Sequence, residues 1–432
     1  MFSGVKSVKI AMFTETYVPQ KNGVAISVFL YKRALEQRGH QVYVVTTVGN
    51  SNDEILVLKS TQFKYESNHV IPVDGRLLPV FDFVRSKNVE IVHSHAPFAL
   101  GLRALAVQKY LKLPHVHTYH TLLVEYRHYI PKPLTPSRKS VAEFSAWFCN
   151  MVNRIVAPTE NIKRELESYG VVRPIHVIPT GIDVDSFDRP PLIDVRKEHG
   201  ISSKTRLLLY VGRMAKEKNV SFLLRVLAHL LQKKHDVHLL LVGDGPERNQ
   251  LEEEAKQLEI EDRVTFTGAL PRERLVDYYQ QADVFVFASM TETQGLVVLE
   301  SLAAGTPVVA VAKMGVANVL RDKEGALLLE EPVLEEFVEK VEMLLSDPKL
   351  YDEMRSRGRI YVRQQWSIDK TVQELERVYE MGVEEGPIEV EYYTSVWIEI
   401  MVEKMKQISN KIFTAGGGRR VTFAPFSRTR GR

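Results

Sequence analysis

Short apolar runs recur along the first 380 residues, each closed by a polar or glycine-containing turn and followed by a stretch with helical spacing. Residues 8–13, 42–46, 91–93, 115–119, 155–157 and 176–179 are such runs, and their length predicts buried strands. Between them the spacing predicts helices over 25–38, 102–110, 140–154 and from Thr159 to about 170, with Thr159 as an N-cap. The Asn22-Gly23 pair marks a tight loop before the first helix, and Gly39 stops it. A polar stretch, 49–68, interrupts the alternation. The segment TGIDVDSFDRPPLIDV, with several Asp and a Pro pair, is the predicted linker. The alternation then restarts, with strands at 206–212, 238–243, 264–268, 283–288 and 308–311 and helices at 221–232, 246–258, 272–281 and 296–304. Such alternation predicts parallel sheets covered on both faces. The chain is therefore an α/β protein of two doubly wound Rossmann-like domains, 1–185 and 186–366, with no sequence repeat linking them. A helix at 367–385 follows and is expected to cross back to the first domain. Beyond 386, Tyr393, Val396, Trp397, Ile400, Met401, Met405, Ile408 and Ile412 recur at helical spacing before a basic tail that reads as disordered.

Residues 283–311 concentrate the chemistry. A buried strand ends in the polar turn 289–294, and Gly295 opens the apolar helix LVVLESLAA, which stops at Gly305-Thr306-Pro307. Parallel sheets place ligands at the carboxyl ends of their strands, which is where this turn lies. Glu292 sits in the turn. Glu300 sits in the apolar helix, where a carboxylate is costly without a partner. Backbone N–H groups near Gly295 form an anion seat. A ligand with an anionic centre and hydroxyls at both ends suits this stretch, and a nucleotide sugar answers that description. At another strand end, in the turn RMAKEKN, Arg213 and Lys218 supply two cations that can hold a diphosphate and stabilise it as it leaves.

Composition narrows the alternatives. With 432 residues, 44% of them hydrophobic, the chain can bury sizeable cores, and a formal charge of +3 gives no electrostatic footprint for nucleic acid. The single Cys149 excludes an internal disulfide and a cysteine-based metal cluster and fits a reducing cytosol. The first residues do not read as a signal peptide, and no apolar run reaches membrane-spanning length. Asp183-Val184-Asp185 imitates a metal-binding Asp-x-Asp but reads as linker, because it follows the last strand of the first domain. VGDGPER lacks the third glycine of a dinucleotide fingerprint, and there is no P-loop or His-Glu-x-x-His motif.

GRMAKEKN, VGDGPER, the FTGAL turn and TETQGLVVLE together resemble the retaining glycosyltransferases of family 4, which have the GT-B fold of two Rossmann-like domains facing across a cleft. The resemblance covers about residues 8–380. It implies that Glu300 binds the donor ribose, Glu292 the donor sugar, and Arg213 and Lys218 the diphosphate. It implies that the N–H groups around Gln294, Gly295 and Leu296 face the phosphate and sugar, and that the Ala269–Leu270 backbone faces the base. Gly23 would allow close approach to the phosphates, and His120 would contact the sugar near the reacting carbon. The implied chemistry needs no metal and no cofactor. It retains configuration through same-face attack within a tight ion pair, with the leaving phosphate as base.

Three positions depart from the family pattern. Gln294 stands where Phe is common, Asn22-Gly23 where a Gly-Gly pair is common, and Thr180 where Asn is common. None removes a charged catalytic group, and Gln294 is placed to affect sugar preference. The stretch HTLLVEYRHYIP, with Glu125, Tyr126 and Tyr129 as acceptor-binding candidates, resembles the diacylglycerol glucosyltransferase subgroup. Lys132, Arg138 and Lys139 can meet anionic headgroups at a membrane surface. The tail stripe through Trp397 and Ile400, followed by Arg419, Arg420, Arg428 and Arg430, has the character of an interfacial segment. The expected protein is a cytoplasmic enzyme, peripheral on the inner membrane face, that takes a nucleotide-sugar donor, a UDP-hexose by preference, and a lipid acceptor. A soluble sugar acceptor, a nucleotide-sugar epimerase of the same fold and a non-enzymatic nucleotide-binding scaffold remain alternatives. The last fits poorly with retention of every charged motif residue.

Overall fold

The structure is a computed structural model and describes residues 7–20, 22–63, 66–72, 77–120, 122–126, 135–292 and 294–389. Among the described residues, nine strands precede the linker: β1 Lys9–Thr14, β2 Gln41–Thr46, β3 Ile55–Val57, β4 Ser60–Phe63, β5 Glu66–Pro72, β6 Ile91–Ser94, β7 His115–Thr118, β8 Arg154–Ala157 and β9 Ile175–Val177. Six follow it: β10 Arg206–Val211, β11 Val237–Val242, β12 Val264–Gly268, β13 Val284–Phe287, β14 Val308–Val311 and β15 Ala326–Leu329. They build a seven-stranded sheet in the order β3-β2-β1-β6-β7-β8-β9 and a six-stranded sheet in the order β12-β11-β10-β13-β14-β15. Every pairing in both is parallel. Helices cover both faces of each sheet, so β11 and β14 are buried along their whole length.

The strand order reverses between β1 and β6 in one sheet and between β10 and β13 in the other. A crevice opens beyond the strand ends at such a reversal. The described loop residues there are 15–20, 22 and 95–98 on one side, and 212–218 and 289–292 on the other.

Some expected boundaries shift for local reasons. The helix expected over 140–154 runs Arg138–Asn150. Ser137 caps it, accepting from the Ser140 N–H at 3.0 Å. It cannot continue to 154 because Asn153 is used otherwise, accepting from the His115 N–H and donating to the Gly386 carbonyl, both at 2.9 Å. The polar stretch 49–68 is not bare loop. It holds β3 and most of the antiparallel β4–β5 hairpin, which a search for apolar runs passes over.

The linker and the chain's return lie side by side. The Ile182 N–H donates to the Trp366 carbonyl at 2.7 Å, and the Ile368 N–H to the Ile182 carbonyl at 2.9 Å. Gly181 is required here, because a Cβ would lie 2.4 Å from Thr371 Oγ1. The helix Ile368–Glu385 then packs on the first sheet. Its Glu376 receives Arg38 Nε and Nη2 at 2.6 and 2.9 Å and lies 3.0 Å from His40 Nε2. Tyr379 Oη meets His93 Nδ1 at 2.6 Å. The apolar stripe beyond 389 and the basic tail lie outside the described residues.

Candidate active site

The strand-end turns of the second sheet are held together by backbone contacts that only glycine permits. A Cβ on Gly243, whose φ is +139°, would lie 1.9 Å from the Gly212 carbonyl oxygen, and one on Gly245 2.3 Å from that of Met214. The Met214 N–H donates to Asp244 and the Glu247 N–H back to Met214, at 2.9 and 3.0 Å. These bonds fix the turn that carries Arg213 and leads to the short 3-10 helix Lys216–Lys218. Tyr210 Oη donates to the Arg213 carbonyl at 3.0 Å.

Lys218 and Glu292 are brought into direct contact, as a hydrogen-bonded ion pair with both side chains largely buried. Their turns are also joined through the backbone, where the Met290 N–H donates to the Glu217 carbonyl at 3.2 Å. The Glu292 carbonyl accepts from the Gly315 N–H at 2.8 Å. Gly295 has φ +80°, a left-handed conformation that sets the start of the helix Leu296–Ala304. Leu296, the first residue of that helix, is half-buried.

Glu300 is only 6% exposed. Its partners are two residues that sequence reasoning missed. Tyr279 Oη donates to Glu300 Oε2 at 3.0 Å, and Arg272 Nη1 lies 3.0 Å from Oε1. Burial, and then the Glu300 charge, hold the Tyr279 phenol well above its ordinary pKa, so it remains a donor. Both residues lie on the helix Arg272–Gln281, seven positions apart and so on one face. That spacing was a readable signal. Ala269 is exposed and Leu270 half-buried in the turn just before this helix.

On the first sheet, Gly23 is the first residue of the helix Gly23–Gln37, and a Cβ there would meet nothing within 4 Å. The open space leaves room for a ligand to approach. Asn22 Oδ1 caps the helix, accepting from the Ala25 N–H at 2.9 Å. His120 stands half-buried just past β7, with Nε2 2.9 Å from His95 Nδ1. Burial pushes His120 down to about 4, so it is neutral at pH 7. Each ring therefore carries one proton, and the contact ties the tautomer of one to that of the other. His93 packs against His95 with ring centroids 4.1 Å apart and the rings tilted by 37°, while His115 and His117 share Ser94 Oγ at 2.7 and 2.8 Å. All four are fully or almost fully buried.

A cavity of about 320 Å³ lies between the two strand-end surfaces. Leu122, Thr159, Asn161 and Arg164 line it on one side, and Glu292 and Gly315 on the other. Glu125 and Tyr126 end the short helix Leu123–Tyr126, one turn beyond Leu122. Tyr129 and Lys132 lie outside the described residues. Among the described residues no group of three or more His, Cys, Asp or Glu is placed to hold a metal ion. Asp185 pairs with Arg363 at 3.0 Å and Asp183 with Arg33 at 4.0 Å, in keeping with a linker.

Two parallel sheets meeting at one cleft, with a lysine–glutamate pair at its wall, are the architecture of the GT-B fold. A family model described as Glycosyltransferase Family 4 matches residues 21–186, and one described as Glycosyl transferases group 1 matches residues 193–361. An alpha-monoglucosyldiacylglycerol synthase of Streptococcus pneumoniae is 36% identical over 334 residues, covering 75% of this chain and 76% of that protein. A protein of the same name from Acholeplasma laidlawii is 28% identical and covers 70% and 79%. Among solved structures, Anabaena HepE in complex with UDP-glucose aligns with a TM-score of 0.71 at 15% identity, over 86% of this chain and 99% of that one. The chain belongs to family 4 of the retaining glycosyltransferases.

Proposed function

We propose that the protein transfers a hexose from a nucleoside-diphosphate sugar, UDP-hexose by preference, to a lipid acceptor such as diacylglycerol, without a metal ion. Residues 1–185 would supply the acceptor side of the cleft and residues 186–366 the donor side. The kinship with two synthases named for glucosyldiacylglycerol carries the choice of acceptor. The cleft residues would serve the donor half of the reaction. Lys218 and Arg213 would bind the diphosphate, Glu292 the sugar and Glu300 the ribose, with His120 beside the reacting carbon. The acceptor hydroxyl would attack from the face the leaving phosphate departs, and that phosphate would take the proton.

The test is release of nucleoside diphosphate from a panel of donors, with vesicles containing diacylglycerol, with soluble sugars, and with no acceptor. Release that depends on the vesicles is expected. Dependence on a soluble sugar would transfer the acceptor assignment to that class. A chelator should leave most of the rate, because fixed cations at a strand end supply the charge a metal would. Complete loss restored by magnesium would overturn the metal-free part.

A lipid acceptor requires the enzyme to visit the bilayer surface. No helix among the described residues is long and apolar enough to cross a membrane. Arg138 and Lys139 are exposed at the start of the helix Arg138–Asn150. Each basic residue near an anionic surface contributes about 1 kcal/mol. Sedimentation with anionic vesicles should therefore weaken with salt and with Lys132, Arg138 and Lys139 changed to Ser. Indifference to anionic vesicles at low salt would remove the peripheral reading.

A further inference from the structure

Of the three positions that depart from the family pattern, 22, 180 and 294, the fold brings 180 and 294 into direct contact and ties them to the helix that Asn22 caps. Gln294 is buried, 4% exposed, and its side-chain amide pairs with both backbone groups of Thr180. Gln294 Oε1 accepts from the Thr180 N–H at 2.8 Å, and Gln294 Nε2 donates to the Thr180 carbonyl at 2.7 Å. Thr180, itself 5% exposed, meets Ser27 Oγ through its Oγ1 at 3.0 Å. Ser27 lies one turn into the helix that Asn22 caps, and Tyr31 of that helix donates to the Pro179 carbonyl at 3.1 Å. Thr180 is the residue before the Gly181–Ile182 strap that pairs with the returning chain. The Gln294 amide thus ties its turn to the strap between the sheets, and the Thr180 hydroxyl ties the strap to the helix that Asn22 caps.

We infer that Gln294 is a positioning residue: it locks the turn carrying Glu292 and Gly295 onto the interdomain strap at Thr180, so that donor affinity depends on this clasp. This rests on the reading of that turn as the donor site. A Phe at 294 could pack but could not pair with Thr180, whose two buried backbone groups would then have no partner. Both must be satisfied for the strap to stay against the turn. Gln294 is suited to this because an amide offers one acceptor and one donor at the spacing of a backbone N–H and C=O. Its side chain is thereby committed to Thr180, leaving its backbone N–H, with those of Gly295 and Leu296, as the part that can face a donor.

The experiment compares wild type with Gln294→Met, Ser27→Ala and the double variant, by calorimetric binding of UDP, by steady-state kinetics and by thermal melting. Gln294→Met should raise the UDP dissociation constant and the donor KM on the order of ten- to a hundredfold, the scale of losing such buried pairing, with a smaller fall in kcat. Ser27→Ala should shift affinity the same way by less, and the double variant should fall short of the product of the two effects. A folded Gln294→Met that melts earlier but keeps wild-type affinity and KM would reduce the residue to a structural one and overturn the inference. If Gln294→Met does not fold, Ser27→Ala decides, and unchanged affinity there overturns it as well. Wild-type protein that binds no nucleoside diphosphate would instead remove the proposed function, a result distinct from equal binding by wild type and variant.

Discussion

Lys218→Ala should lower turnover by about 10²–10³-fold while the protein remains folded, the range found when one preorganised charge-stabilising group is removed. Lys218 lies in direct contact with Glu292 at the wall of the cavity between the sheets. In the proposed reaction negative charge grows on the leaving diphosphate, and only interactions that strengthen with that growth raise kcat. Lys218 would be such a group. Glu300 is not, because it would hold the ribose equally in the ground and transition states. Glu300→Gln should therefore raise the donor KM and leave kcat much nearer to wild type. Glutamine is chosen over alanine because Tyr279 and Arg272 both rest on this side chain, and a void there would confuse binding with folding. Steady-state kinetics separate the two effects. Near-normal kcat in Lys218→Ala would remove Lys218 from the chemical step, and an unchanged donor KM in Glu300→Gln would remove Glu300 from the donor site.

The sheets were legible in the sequence because parallel strands covered on both faces must be apolar throughout. Runs such as RLLLYV and HLLLV have few other uses in a chain of alternating elements. The candidate site was legible for the opposite reason. Glu292 is polar where the strand has just ended, and Glu300 is charged where the helix face is apolar. Glu300 there reads as a cost that needs a purpose, and Glu292 as a carboxylate where a parallel sheet places its ligand. What stayed hidden depends on distance. The partners of Glu300 come from a helix one strand earlier, and sequence shows that Arg272 and Tyr279 share a face without showing what that face meets. The Gln294–Thr180 clasp is harder still, since the groups that Thr180 contributes are backbone atoms that every residue but proline possesses. The β4–β5 hairpin was missed because its residues lack the apolar run by which the other strands were found.

Of the histidines at 93, 95, 115, 117 and 120, only His120 is given a role by the sequence, and their number has a consequence for stability. The folded protein should lose stability steeply as pH falls from about 6.5 toward 4. His93, His95 and His117 are held well below the ordinary histidine value, chiefly by burial and then by the neighbouring histidines, His115 and His120 among them. Burial lowers His115 to about 3 and His120 to about 4. An unfolded chain returns each to about 6.5. Between the two values the unfolded state binds more protons than the folded state, so stability rises with pH across this window and is lost as pH falls through it. The charged groups packed around them do not offset this. His93 contacts the Tyr379 phenol, Thr118 and His95, while His115 contacts Gln108 and Ser94. None of these supplies a negative charge. Glu15 acts in the other direction. Burial raises it to about 7, so it takes up a proton on folding and gains stability as pH falls from 7 toward 4.5. At pH 4.5 Glu15 offsets about one histidine, since each buried histidine then costs roughly 3 kcal/mol. The four that remain are comparable with the whole stability of a domain, about 5–15 kcal/mol. Melting followed by circular dichroism at pH 8, 6.5, 5.5 and 4.5 should show little change over the first step and a collapse by the last. His117→Asn should reduce the slope across the window by one proton. A melting temperature that is flat from pH 7 to 4.5 would mean that the histidine layer admits water and is not the closed, neutral stack described here.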